Sequence, residues 1–449
     1  MINTLYLPEL REMLAENNGD ELHEFCTALH AARTAEFMEG LTPDEAWQVL
    51  THADAPLRTD IFNYFEHDKQ VQIIESQDRQ QIAELVAQLP PDDRVDMLEG
   101  VNDAVVEELL PLLPTDERRD YLRLKAYPES TAGAIMTTEV AKLAESLTAE
   151  QALRELGRQA HELETIYYLY VVDDTDHLRG IVSARQLVSA IGKPQKLLSE
   201  MMETDIVYAN VFDDQEDVAQ KVARYNLLAI PIVDNDLRMV GIVTHDDVID
   251  VVMEEAAEDA HRIAGVEPLD KTYAKTSVLE LSFKRGIWLT VLFIGALLTA
   301  FALQKYEHHL DTWTWLVLFL PLVISAGGNS GSQSATLIIT ALATGDVFPK
   351  DWLRIVSREL LMGLLLGGFL ALIGFCAALF LAPAPGDAFV VPLTLILVVV
   401  SGTVCGSILP LVFQRLGLDP AMMSNPFVAG IIDILGIVIY MNVAFVLLG

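Results

Sequence analysis

Residues Met422–Leu448 read MMSNPFVAGIIDILGIVIYMNVAFVLL. The run is long enough to cross a bilayer, for which ~20 mostly apolar residues suffice. Its one charged residue, Asp433, lies well inside it. An ionisable group at membrane depth costs at least ~2.5–3.5 kcal/mol, so a water-filled cavity, a partner or a bound cation must offset it. Asn425 and Pro426 stand two turns earlier. Pro426 has no N–H, so the Met422 carbonyl is expected to lose its helical partner. An acid, an amide and a freed carbonyl are all oxygen donors, which hard cations prefer. The alternative is a protonated Asp433 hydrogen-bonded to a neighbouring helix as a packing device.

Composition divides the chain in two. Mean hydropathy is +0.31, and 51% of the 449 residues are hydrophobic, yet the net charge is −34. Residues 281–449 hold 8 acids and 7 bases, leaving 56 acids and 23 bases in residues 1–280. A very acidic soluble half is therefore joined to a nearly neutral membrane half. Such a domain repels nucleic acid and anionic lipid and attracts metal cations. Plain solubility, or a salt-tolerant organism, would give the same charge. Cys26, Cys376 and Cys405 are scattered, so neither a disulfide framework nor a metal motif is expected. The first residues, MINTLYLPELREML, lack a basic stretch followed by an apolar run, and no signal peptide is expected.

Residues 1–127 carry apolar side chains at helical spacing, as in Ile82, Leu85, Val86 and Leu89. Pro-acid signals at Leu41-Thr-Pro-Asp-Glu, Leu89-Pro-Pro-Asp-Asp and Leu113-Pro-Thr-Asp-Glu suit the first turns of helices. Their repetition predicts stacked hairpins in an all-α superhelical domain. Next comes an α/β repeat. Tyr168-Leu-Tyr-Val-Val-Asp173 leads to Leu178-Arg-Gly-Ile-Val-Ser183, and Ala229-Ile-Pro-Ile-Val-Asp234 leads to Met239-Val-Gly-Ile-Val-Thr244. Each copy reads as strand, acidic turn, strand with Gly, then helix. This repeat resembles a tandem pair of CBS domains, which implies an adenine nucleotide or a metal as ligand. The ribose-binding Asp of that family has a counterpart in Asp247, whereas Gln186 stands there in the first copy.

Residues 245–261, HDDVIDVVMEEAAEDAH, place Asp246, Asp250, Glu254 and Glu258 four apart on one helix face. Like charges so spaced oppose each other by ~0.2–0.5 kcal/mol per pair, so a rigid helix here needs counter-cations. A solvated acidic face is the alternative. Five apolar segments follow, near 286–304, 313–344, 352–381, 389–414 and 421–448. Lys284, Arg285, Lys350, Arg354, Arg358 and Arg415 fall on one side and Lys305 on the other, which puts the N-terminus in the cytoplasm and Gly449 outside. The second segment carries Gly327-Gly-Asn-Ser-Gly-Ser-Gln333, whose Asn329 and Gln333 need partners beyond packing. The fourth has Gly402 and Gly406 as a close-packing face. No phosphate-binding Gly-rich loop is present, and Asp270-Lys-Thr shares only three letters with aspartyl-phosphate ATPases.

In this order of parts, and in Gly327-Gly-Asn-Ser-Gly-Ser-Gln333, Ala341-Leu-Ala-Thr-Gly345 and Ser424-Asn-Pro-Phe-Val-Ala-Gly-Ile-Ile-Asp433, the chain resembles the MgtE family of magnesium channels and transporters. The resemblance implies a non-enzymatic homodimer in a bacterial inner membrane that admits Mg²⁺ and is closed by cytosolic Mg²⁺. It implies boundaries at 1–127 (helical domain), 128–198 and 199–257 (CBS pair), 246–278 (acidic connecting helix) and 279–449 (pore domain). Pore residues would be Asp433, Asn425, the Ala429 carbonyl and Asp419. Regulatory ligands would be Asp60, Asp92, Asp96, the Ala134 carbonyl, Asp214, Asp247, Asp250, Glu255, Glu258 and Asp259. ATP is a further candidate ligand. Ser332, where some members have Asn, and Asn226, where some have Asp, depart from the pattern. Carriage of Co²⁺, Na⁺-coupled Mg²⁺ exchange and a membrane-anchored sensor without transport are the other readings.

Overall fold

Proline in a first turn and a side-chain cap before it explain how the helical region is cut into short pieces. A computed structural model describes residues 5–160, 163–269, 273 and 275–449; Asp270, Lys271 and Thr272 lie outside them. The chain divides into two compact units, residues 1–252 and 253–449.

In the first unit, short helices run from Leu7–Glu16 to Thr115–Leu124. The three Pro-acid signals open Pro43–Leu50, Pro91–Glu99 and Thr115–Leu124. Thr42 and Glu45 close a reciprocal capping box around Pro43, which pairs donors the helix start would leave orphaned. Helices pack largely on the second one along the chain, as expected of a superhelix. Arg94 is fully buried; its guanidinium donates to the carbonyls of Val86, Ala87 and Leu89 and pairs with Glu117 at 2.7 Å. It fixes the helix that carries Asp92 and Asp93.

The repeat folds as two three-stranded sheets. In the first, β1 (Lys142–Ala144) lies parallel to β2 (Tyr168–Val172), which is antiparallel to β3 (Leu178–Ser183). In the second, β4 (Ala209–Asn210), β5 (Ala229–Val233) and β6 (Met239–Thr244) repeat that order. The motif strands are therefore those expected, while β1 and β4 carried no sequence signal. Ser183 and Gln186 form a capping box at the helix after β3, which gives Gln186 a structural task. Asn226 has φ +51° and caps helix Gln215–Tyr225 in the left-handed region, a conformation that Asn tolerates. A single helix, His245–Ile263, leaves the second sheet and continues into the other unit.

Among its described residues that unit holds five helices long and apolar enough to span a membrane: Val278–Lys305, Thr314–Ala343, Pro349–Leu381, Asp387–Arg415 and Asn425–Leu448. They are called spans 1 to 5 below. Spans 2 to 5 share a core, whereas span 1 buries no residue and touches chiefly span 5. Spans 2 and 4 meet backbone to backbone. A Cβ on Gly402 would stand 2.5 Å from the Gly327 carbonyl oxygen, and one on Gly406 2.1 Å from that of Gly331. Small residues are required because no side chain fits between the two helices.

Candidate cation site

The last span begins later than its hydropathy suggests. Pro420–Met422 form a 3-10 turn, opened by Asp419, whose carboxylate accepts the Ala421 N–H at 2.7 Å. The Met422 carbonyl accepts the Ser424 N–H at 2.9 Å. The helix then starts at Asn425, with Pro426 in its first turn. There the missing N–H leaves no carbonyl unpaired, so the freed Met422 oxygen expected from sequence does not exist.

Asn425, Ala429 and Asp433 recur every fourth residue on span 5, and all three are half-buried. The stripe opposite is Gly328, Ser332 and Thr336 on span 2. A Cβ on Gly328 would stand 3.4 Å from the Ala429 Cβ and 3.6 Å from Asp433 Oδ1. Ser332 Oγ donates to the Asn425 carbonyl at 3.1 Å, and Thr336 Oγ1 donates to Asn425 Oδ1 at 3.1 Å. Asn425 is thus held by two hydroxyls, one on its backbone carbonyl and one on its side-chain amide oxygen, neither of which sequence reasoning assigned to it. Ala429 sits in regular helix, so its carbonyl offers only a second lone pair. Asp433 makes no hydrogen bond or ion pair among the described residues. A carboxyl serving as a tie between helices would need such a partner.

Two further polar features lie on span 2, the first of them without a signal in the sequence. Ser334 donates to Glu359 Oε2 at 2.6 Å, which ties span 2 to an acid in span 3. Ser325, Asn329 and Gln333 line an open groove of about 390 Å³ against Leu366, Phe369 and Leu370. Asn329 donates to Ser325 Oγ at 3.2 Å, and Gln333 has no partner among the described residues.

The regulatory candidates fall into separate places. Asp92 is only 8% exposed, and its Oδ1 has no hydrogen-bond partner among the described residues. Burial raises its pKa, and Asp247, Asp93 and Glu164 add to the rise. Burial likewise raises Asp247, against the bonds it accepts from Thr244. Asp93 is raised by burial, opposed by Asn63, which donates to it at 2.7 Å. Glu164 is pushed up to about 7, first by burial of its carboxyl and then by Glu139, Asp247, Asp246 and Asp93. Asp92 and Asp247 are thus brought into one acidic cluster. Asp93, Asp246, Glu139 and Glu164 join them, and Asp250 faces Asp93. Asp60 and Asp96 are exposed. Asp214 is exposed too, and it caps a helix by accepting the Glu216 N–H at 2.8 Å. Ala134 is half-buried, its N–H donating to the Thr131 carbonyl at 2.9 Å. No three His, Cys, Asp or Glu side chains among the described residues converge tightly enough to ligate one ion directly. All the donors are oxygens, and Mg²⁺ keeps much of its water.

Within the second unit, Glu258 and Asp259 lie close to Asp419, and Glu255 stands beside both of them. Burial, then Asp419 and Glu255, push Asp259 up to about 6; burial also raises Glu258. Arg262 pairs with both Glu258 and Asp419, a contact nothing in the sequence signalled. A pH dependence follows. Glu164 and Asp259 bind protons more readily folded than unfolded, so the cation-free fold is stabilised as pH falls through about 7 toward the usual 4.5 of Glu. With a chelator present, the thermal midpoint of the full chain should rise between about pH 8 and about pH 5, and excess Mg²⁺ should flatten that rise.

Residues 320–443 match the family described as MgtE, divalent cation transporter; residues 29–130 match the MgtE intracellular N domain. Residues 132–193 and 198–254 match CBS domains. The chain is 40% identical over 325 residues to the magnesium transporter MgtE of Thermus thermophilus, covering 72% of each chain. It is 36% identical over 320 residues to that of Enterococcus faecalis, covering 71% of this chain and 69% of the relative. The fold resembles the crystal structure of the cytosolic domain of the Mg²⁺ channel MgtE in complex with ATP. That likeness has a TM-score of 0.51 at 33% identity and covers 54% of this chain and 98% of that one. The chain therefore belongs to the MgtE family of divalent cation transporters and is a multi-pass membrane protein.

Proposed function

We propose that the protein transports Mg²⁺ as a channel, admitting it to the cytoplasm down the membrane potential. The observation that carries this is Asp433: an acid at membrane depth with no partner among the described residues, in line with an amide oxygen and a backbone carbonyl. A hydrated Mg²⁺ would meet these three oxygens in turn and keep much of its shell. Two charges moving inward gain about 4.6 kcal/mol per 100 mV, so no ATP hydrolysis is needed. The working form is a homodimer in the cell membrane, with the N-terminus inside and Gly449 outside. A second copy would cover the polar groove at Asn329 and Gln333, and Asp433 would occur twice along one path.

Opening is set by the soluble acids. Asp92, Asp93, Glu139, Glu164, Asp246 and Asp247 repel one another at low cytosolic Mg²⁺. Screened by a divalent cation, they hold the helical domain, the CBS pair and the connecting helix together. The cation acts only through its preference for that compact form. Asp247 accepts from Thr244 and faces Asp92, which favours a cation role for it over a ribose contact. Nucleotide binding is not required for gating.

The test is ion uptake by liposomes carrying the native chain. Mg²⁺ should enter with or without a Na⁺ gradient and outcompete Co²⁺ and Ca²⁺. Uptake that follows the Na⁺ gradient would make the protein a coupled carrier, and uptake favouring Co²⁺ would reassign the substrate. No uptake of any ion would leave a sensor without transport.

A further inference from the structure

Arg262 stands where the connecting helix ends, and that end is seated firmly. Gly265 has φ +73°, and its N–H and that of Val266 return to the carbonyls of Arg262 and His261. This is a glycine-terminated helix stop. Gly265 lies against Ser424 and Pro426, where a Cβ would find Ser424 Oγ and Pro426 Cγ at 3.5 Å. Ile263 packs on the membrane core, and Lys284 donates to the Pro268 carbonyl. The contact surface is therefore the turn that opens span 5. At its centre the Arg262 guanidinium pairs with Glu258 on its own helix and with Asp419 on the turn. Asp259 and Glu255 stand beside them.

A planar guanidinium has five donors and can satisfy two carboxylates at once. Glu258 and Asp419 are among the acids for which a divalent cation is expected. We infer that Arg262 is a tethered cation that holds the connecting helix on the start of span 5 in place of a metal ion. This corner stays docked at low Mg²⁺, and the response to Mg²⁺ is left to the acids around Asp92 and Asp247. The inference deepens the proposed gating and rests on it only for the effect on flux; the docking itself is independent of what is carried.

The test uses the full chain in lipid nanodiscs, with its three cysteines replaced and spin labels at Ala264 and Leu418, both exposed. In chelator the parent should show one short distance, unchanged by added Mg²⁺. In Arg262→Gln the docked fraction should fall roughly tenfold relative to the undocked one, the scale of losing charge-assisted bonds. Mg²⁺ should restore it, because Glu258, Asp259 and Asp419 are then free to share a divalent cation. Arg262→Lys, which keeps the charge but not the fork, should lie between them in chelator. Two results would overturn the inference: the same distances in Arg262→Gln as in the parent, or loss of docking that Mg²⁺ does not restore. A chain that docks as described yet carries no Mg²⁺ would overturn the proposed function and leave the latch intact.

Discussion

Asp433→Ala should lower Mg²⁺ uptake at least about a hundredfold, while Asp433→Asn keeps a measurable part of it. Removing one partner of a buried charge interaction costs roughly 3–5 kcal/mol, and each 1.36 kcal/mol is a factor of about ten in rate. Asparagine preserves an oxygen donor and the shape of the site but not the charge. Neither substitution should harm folding, because the Asp433 carboxyl bonds nothing among the described residues and Gly328 opposite leaves it space. Stopped-flow uptake with an entrapped Mg²⁺ indicator, on liposomes of matched protein content, reads the effect. Native rates in Asp433→Ala would return the residue to a packing role.

The second large effect concerns Asp92 and Asp247. Neutralising both, as Asp92→Asn with Asp247→Asn, should have two opposite consequences. The cation-free protein should become more stable, because burial raises both carboxyls above their usual range and their charged forms are the costly ones. Inhibition by internal Mg²⁺ should weaken, with the half-inhibitory concentration rising about tenfold for each 1.4 kcal/mol of cation preference lost. A general loss of structure would lower stability instead of raising it. Thermal unfolding in chelator and flux against internal Mg²⁺, taken on the same preparation, separate the cases.

Much of this is legible in the sequence. The spans announce themselves by length and hydropathy, the two sheets by a repeated strand–turn–strand pattern, the helical domain by proline and acid at its helix starts. These are local signals, and local physics enforces them. What stayed hidden depends on groups distant in sequence. β1 and β4 are three and two residues long, too short for alternation to register, and they form only because β2 and β5 offer an edge. Ser332 reads as a mere departure from a pattern until its hydroxyl is seen on the Asn425 carbonyl. Glu139 and Glu164 join the acidic cluster through the fold of the first sheet. The Met422 carbonyl was misread because Pro426 was taken to lie within a helix rather than at its start. Arg262 carries no signal in the sequence, and Asp419 was expected only as a pore acid; the turn Pro420–Met422, which Asp419 opens, brings the two together.

The claim that Mg²⁺ passes Asp433 by itself, driven by voltage, is tested most directly by flux under an imposed potential. Liposomes with the native chain would hold a K⁺ gradient, and an ionophore would set the interior negative. Internal Mg²⁺ would be kept low. Uptake should climb steeply as the interior becomes more negative, fall when internal Mg²⁺ is raised, and vanish in Asp433→Ala. Uptake indifferent to potential, or equal in native and Asp433→Ala protein, would contradict it.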